Sequence, residues 1–495
     1  DDSDAVRLAA GAGHLDVVRY LCELPADRGV DPSADDNDAV RLAAGAGHLD
    51  VVRYLCELPV DRGVDPSAND NSAIGWATSD GHWDVVRYLC ELPVDRGVDP
   101  FHDAARLAAG DGDLDAVRYL CELPVDRGVR PSTDDNGAVR YAAAEGYLDV
   151  VRYLCELPVD RGVDPSADDN YAVRYAAAEG HLDVVRYLCE LPVDRGVDPS
   201  ANDNNAVGFA ATEGHLDVVR YLCELPVGRG VDPSADDSDA VRLAAGAGHL
   251  DVVRYLCELP VDRGVDPSAN YNYAVRFAAG AGHLDVVRYL CELPVSRGVD
   301  PSANDNDAVR LAAVQGHWDV VRYLCELPVD RGVDPSTDDN YAVRLAAKKG
   351  CVDVVRYLCE LPVERGVDPS ANDNDAIASA ATSDHLDVDR GADSSSDDDS
   401  SVDSAATSDH LDVVRYLCDL PVNRGVDPST VARMLAEQPR LSDSARYLCN
   451  TYCRGLRLWS RSPIEGIRQQ ALTSLARSPL LMVRAMVCQR RAVPL

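Results

Sequence analysis

Several things are scarce in this 495-residue chain, and each scarcity excludes something. It holds only three Phe, three Met and four Trp. A buried core must therefore be built from Leu, Val, Ala, Cys and Tyr, small side chains that suit tightly stacked short helices. No run of about 18 apolar residues occurs, which excludes an apolar membrane-spanning helix. Lysine is confined to Lys348 and Lys349. Positive charge is in deficit: 48 Lys and Arg stand against 84 Asp and Glu, a net charge of −36. Such a field repels nucleic acid and anionic membrane and favours basic partners, while also keeping the chain soluble.

The charge that is present is uneven. Residues 430–495 carry eleven Arg against Glu437, Asp443 and Glu465, a local +8 that leaves −44 on residues 1–429 once it is taken from the total of −36. Over those acidic residues one unit recurs, best seen from Asp35 to Ala68 as DDNDAVRLAAGAGHLDVVRYLCELPVDRGVDPSA. A ruler is given by His14, His48, His82, Asp113, Tyr147, His181, His215, His249, His283, His317, Cys351, His385 and His410, whose twelve spacings are 34 in ten cases, 31 in one and 25 in one. Periods of this size mean stacked supersecondary units, none of which buries its apolar face alone. The chain opens inside a repeat, DDSDAVRLAA, which leaves open a longer parent chain.

Within the unit, Asn37 precedes Ala39-Val40-Arg41-Leu42-Ala43-Ala44 and suits an N-cap, accepting from the first helical amides. A helix of about nine residues then ends at Gly45-Ala46-Gly47-His48. Asp50 opens a second helix, favourably placed against its dipole. Val51, Val52, Leu55, Cys56 and Leu58 give that helix a buried stripe, and Pro59 stops it. The rest of the unit is an extended connector rich in turn residues. Sixteen cysteines invite a disulfide or metal assignment, yet ten of them (Cys22 through Cys325) hold one position of the unit, and Cys359 and Cys418 match it. Equivalent atoms of stacked helix pairs lie about 10 Å apart, too far for a disulfide or a converging zinc set. They are expected to be buried thiols acting as small apolar side chains, best tolerated in a reducing compartment.

The string A-V-R-L-A-A-x-x-G-H-L-D-V-V-R-Y-L-C-E resembles the ankyrin repeat in its Ala-Ala, Gly-His and Val-Val, and the resemblance covers roughly residues 1–429. It implies an all-α fold: an ankyrin-type helix-pair solenoid of about 12–13 stacked repeats with short fingers, plus a helical C-terminal segment. It also implies protein binding on a concave surface lined by first-helix and finger positions. Against the family pattern the Thr-Pro-Leu-His opening is missing, the finger is about three residues shorter and the stretch after the second helix about four longer. A stunted β-hairpin finger and a fuller loop on the opposite side are expected. A period of 34 also fits tetratricopeptide repeats, whose two helices are longer than these; that family is the second choice.

Two units depart from the ruler. Pro100 is followed by Phe101-His102-Asp103-Ala104, so the fourth unit should keep both helices and lose its finger. At His385-Leu386-Asp387-Val388 the segment VRYLCELPV is omitted, and residues 393–404 align with the start of the next unit. A missing second helix predicts a hinge or local disorder at 384–410. Ser394, Ser395 and Ser396, followed by Asp397, Asp398 and Asp399, form an acidic context for phosphorylation. The expected division is a repeat array at 1–383, a degenerate and a final repeat at 384–429, and a basic helical segment at 430–495, either a cap or a docking module.

No catalytic, cofactor or metal site is expected. The Gly-Ala-Gly steps follow a helix rather than a strand, so they are not phosphate cradles. The Asp-Asp-Asn-Asp fingers lack the Gly and alternating ligands of a calcium loop. No nucleophile–base set recurs. Partner-binding candidates are the positions that vary within the frame: Tyr171, Tyr271, Tyr273 and Tyr341 as aromatic anchors, Asn205, Asp239 and Asp307 after the cap, and Glu145, Glu179 and Glu213 after the Ala-Ala pair. The function expected is a monomeric, intracellular, non-catalytic scaffold, cytoplasmic or nuclear, binding a basic and apolar protein segment, with neither nucleic acid nor membrane as partner. Alternatives are an adaptor whose C-terminal helices recruit a second factor such as degradation machinery, and a duplicated array with little function.

Overall fold

A computed structural model describes residues 2–24, 30–62, 64–93, 96, 98, 104–123, 129–158, 161–260, 263, 265–383, 400–420, 426–427, 447 and 451. The chain divides into two compact units, Asp1–Ala235 and Asp236–Leu495. Among the described residues there are 24 α-helices and no strand, paired as seven helix pairs in the first unit and five in the second. Each compact unit is a stack of helix pairs, a helix-pair solenoid of the expected class.

One repeat, Ser302 to Ser336 in the second compact unit, shows how the sequence makes the pair. The first helix, Ala303–Gln315, ends at Gly316, whose φ of 81° only glycine adopts freely. The Gly316 N–H donates to the Ala313 carbonyl (3.3 Å) and the His317 N–H to that of Ala312 (2.9 Å), so the last orphan carbonyls are satisfied. The second helix, Trp318–Glu326, starts two residues later and stops before Pro328. A single 3₁₀ turn, Val329–Arg331, and Gly332 at φ 73° follow. Asp334 then accepts from both the N–H and the hydroxyl of Ser336 (2.9 and 2.7 Å), an Asx-type turn that leads into the next first helix.

The finger corrects two expectations. Asn304, Asp305 and Asn306 have φ of 54°, 56° and 61°, one turn of left-handed helix ahead of the right-handed one. The same triplet recurs, for example at Asp35-Asp36-Asn37 and Asp168-Asp169-Asn170. No hairpin is present there. Left-handed backbone costs an ordinary residue about 1–2 kcal/mol, and Asn and Asp tolerate it best, which explains the composition of the finger. Nor does the Asn cap its own helix. The Asn306 Oδ1 accepts from the backbone N–H of Asp334, 28 residues on (2.7 Å), and Asn37 does the same for Asp65 (2.8 Å). The side chain therefore fastens a finger to the next connector, and where Ser238 replaces Asn its hydroxyl accepts instead (3.0 Å).

A second clasp comes from the connector arginine. Arg195 donates to the carbonyls of Cys155 (2.5 Å) and Val163 (3.2 Å), and Arg365 to those of Cys325 (2.9 Å) and Val333 (3.0 Å). Each therefore satisfies a helix-end carbonyl of the preceding repeat. Between the helices lies the expected core: Val51, Val52, Leu55 and Cys56 with Ala39, Val40, Ala43 and Ala44, and their equivalents, are buried. Leu58 is only half-buried, because the chain has left the helix at that point (φ −58°, ψ 147°). Among the described residues no cysteine is in a disulfide, and apart from Cys351 and Cys418 their thiols are buried. Burial pushes those of Cys56, Cys155, Cys189, Cys257, Cys291 and Cys325 up to about 12.

The two irregular repeats differ in kind. The fourth keeps both helices, Ala104–Gly110 and Leu114–Glu122, the first shortened to seven residues; residues 99–103 lie outside the described residues. In the twelfth, the alignment that begins a new repeat at 393–404 is overturned, because Ser400–Asp419 is a single helix of 20 residues. Its second half takes the place of the missing second helix. The His410 Nε2 donates to the Lys348 carbonyl across 62 residues, where His283 reaches Gly246 across 37. The Tyr416 hydroxyl donates to the Arg356 carbonyl across 60, where Tyr357 reaches Arg322 across 35. The Asp427 N–H donates to Asn374 across 53, where Asp334 does so to Asn306 across 28. Every separation is longer by the same amount, so the thirteen ruler marks make twelve helix pairs. The expected hinge and Ser394–Ser396 fall largely or wholly in 384–399, and the basic segment in 430–495 apart from Tyr447 and Thr451; these lie outside the described residues.

Candidate interaction surface

The second helices are nearly invariant and bind to one another. In the first compact unit Arg152 lies 5.6 Å from the Tyr187 ring centroid and Arg186 5.1 Å from that of Tyr221; in the second, Arg254 lies 5.3 Å from Tyr289. Burial, with the neighbouring Cys155 and Glu156 adding to it, pushes the Tyr187 phenol up to about 12. The ladder histidines are equally committed to the frame. Their rings sit against the left-handed glycine of the preceding repeat, so closely that a Cβ added at Gly180 would lie 2.5 Å from His215. Tyr147 and Cys351 fill the same seat against Gly112 and Gly316.

The first helices carry the positions that vary. In the second compact unit Asp239, Tyr273 and Asp307 are brought into one chain of contacts. Asp239 pairs with Arg242. Arg242 lies 5.0 Å from the Tyr273 centroid, and Tyr273 stacks on Phe277 at 3.9 Å. Arg276 lies 5.3 Å from Tyr273 and grips Asp307 through Nε and Nη2 (2.8 and 2.5 Å). Tyr341 is half-buried under Arg310, at 4.6 Å. Tyr271 stands apart: it occupies the left-handed turn (φ 57°) and is 77% exposed.

In the first compact unit Tyr171 stacks on Tyr175 (3.9 Å, 14° between planes), with Arg140 4.6 Å from its centroid. Burial, with the neighbouring Tyr175 and Tyr141 adding, raises its phenol. Glu145, Glu179 and Glu213 are exposed and Asn205 is half-buried.

What the sequence did not single out is a ladder of first-helix arginines. Arg140 reaches Asp168 of the following repeat at 3.3 Å, Arg310 reaches Asp338 at 3.5 Å and Arg344 reaches Asp375 at 2.8 Å. The Asp38–Arg41 spacing of three, which puts both residues on one helical face, shows the pairing within a repeat, but these partners lie 28 or 31 residues apart, in the following repeat, where no local spacing points to them. Its consequence is electrostatic: the carboxylates at 239 and 307 are already engaged, whereas those at 145, 179 and 213 face solvent. Among the described residues no group of three His, Cys, Asp or Glu could hold a metal, and no helix is long and apolar enough to cross a membrane.

Residues 139–237, 173–271 and 241–339 match the family model of ankyrin repeats in three copies. No curated protein matches the chain.

Proposed function

We propose, from the match of residues 139–339 to the family model of ankyrin repeats, that this chain is an ankyrin-repeat protein and a non-catalytic scaffold holding a basic and apolar segment of another protein on its first-helix surface. Ankyrin repeats are in general protein–protein interaction modules. The supporting observation is the division of labour between the two helices. The nearly invariant second helices and the recurring Ala and Val of the first helices build the stack, while the side chains that vary, Tyr171, Tyr273, Tyr341 and the exposed Tyr271, Glu145, Glu179 and Glu213, come from first helices and fingers. Free carboxylates suit a basic segment, and the aromatic rings suit its apolar residues. The row of reduced, buried thiols supports an intracellular location, and we take the working form to be a monomer.

The test is binding of a labelled Arg- and Leu-rich peptide library to the full chain and to a variant with Tyr171, Tyr273 and Tyr341 changed together to Ala. Loss of binding by about tenfold or more is expected; unchanged binding would defeat the choice of surface. A second proposal rests on the +8 of residues 430–495 beside the −44 of the rest: that this segment recruits a further factor. Its deletion should then remove some partners from a pulldown and spare others, and an identical partner set would rule it out.

A further inference from the structure

The arginine ladder is matched to carboxylates repeat by repeat, with one exception in the first compact unit. Arg174 is 9% exposed, the deepest of the ladder, yet it makes no ion pair. Its Nη2 donates to the Asp168 carbonyl (3.2 Å), its guanidinium carbon lies 6.0 Å from the Tyr175 centroid, and its Nε is buried without an acceptor. The cause is in the next repeat. In the following repeat a carboxylate can come from one of two places: the first finger residue, as with Asp168 for Arg140, or the residue after the turn, as with Asp307 for Arg276. After Arg174 those places hold Asn202 and Asn205. Its own repeat offers Tyr171 where Asp239 serves Arg242.

Neutral amides cannot balance a guanidinium, which stays charged at any ordinary pH. A buried charge left without a partner is among the least favourable features a protein carries. Arg7, Arg41, Arg140 and Arg310 also have an Nε without an acceptor, but each pairs with a carboxylate through its terminal nitrogens. Arg174 alone among these has neither. Beside it the rings of Tyr175 and Phe209, 6.0 Å apart, form a half-buried aromatic step.

We propose that Arg174 is the receptor for a carboxylate supplied from outside the chain: an Asp or Glu side chain of the bound protein segment, seated as Asp307 is seated on Arg276 and packed against Tyr175 and Phe209. This rests on the scaffold proposal and refines it, since the partner must then carry one acid among its basic and apolar residues. The planar two-oxygen group matches the edge of the guanidinium. A dianionic phosphate would meet the array's acidic field at twice the charge, so the carboxylate is the preferred ligand.

Phage-displayed random dodecapeptides selected on the full chain test the idea. Selected peptides should share one Asp or Glu, and changing it to Asn or Gln should weaken binding about tenfold or more. Arg174→Gln should cause the same loss, and the peptide change should then have no further effect. Asn205→Asp, which installs the carboxylate used elsewhere in the ladder, should also abolish binding while leaving the thermal midpoint unchanged or higher, separating occupation of the site from misfolding. Selected peptides whose affinity stays within about twofold on both variants would overturn this assignment and leave the scaffold proposal standing. A selection that yields no binding peptide would overturn both.

Discussion

Besides the connector arginine, most repeats carry one arginine on each helix, and the two helices use it differently. On the second helix, Arg152 lies on the ring of Tyr187 and needs no counterion from the frame. On the first, Arg276 is enclosed with Asp307, the two side chains 12% and 15% exposed. An exposed cation on a ring is insensitive to its surroundings, so one side-chain set serves every repeat. An enclosed cation must be balanced locally, so each substitution in the neighbouring repeat is felt. The second helix can therefore stay uniform, and the first is where change has electrostatic consequences. Arg174, facing Asn202 and Asn205, is such a change.

Alkali should expose the second-helix side most. The thiols of Cys155, Cys189 and Cys257 ionise near 9.0 in ordinary surroundings but at about 12 when folded. The phenols of Tyr187, Tyr221 and Tyr289 move from 10.0 to about 12. Because the folded state favours the protonated forms, their contribution to stability is complete below pH 9 and is lost as the pH rises toward 12. Circular dichroism should show cooperative loss of helix within that window. Replacing Cys155, Cys189 and Cys257 together by Ala should move the midpoint upward, and an unmoved midpoint would break the link to the thiols.

Next in size, Leu188→Ala removes a fully buried side chain from the same helix and should cost about 2–5 kcal/mol in urea unfolding. On the first helix, Asp307→Asn should cost about 1–3 kcal/mol by leaving Arg276 without its carboxylate. Equal effects of Asp307→Asn and the opposite change Asn205→Asp would erase the distinction between balanced and unbalanced repeats. Smallest, Arg152→Gln should cost about 0.5–1 kcal/mol, since the Tyr187 stack is partly solvated; a larger loss would show that the second-helix ladder is not the tolerant one.

The helix pairs were legible in the sequence because Ala-Ala, Gly-His and Val-Val recur at helical spacing, and the core at Val51, Val52, Leu55 and Cys56 followed from that period. The finger was not. Asn37 has the composition of an N-cap, and nothing local distinguishes capping its own helix from accepting a hydrogen bond 28 residues away. The twelfth repeat was misassigned because the ruler counts residues while the stack is held by contacts. Of the candidate site, the variable positions were visible, but the state of their side chains was not. Whether Asp307 is free or Tyr171 covered depends on Arg276 and Arg140, one repeat earlier.

The twelfth repeat has a further consequence. Ala380 to Val388 reads AATSDHLDV, and so does Ala405 to Val413. The two copies lie 25 residues apart, an offset that shifts the frame of everything downstream when the chain is written out. In the folded molecule it is absorbed between the two helices of one pair, and His410, Tyr416 and Asp427 still find Lys348, Arg356 and Asn374. Position along this stack is stored in neighbours rather than in distance along the chain. The turn between paired helices is thus a splice point, where a guest sequence can be inserted without moving the addresses on either side.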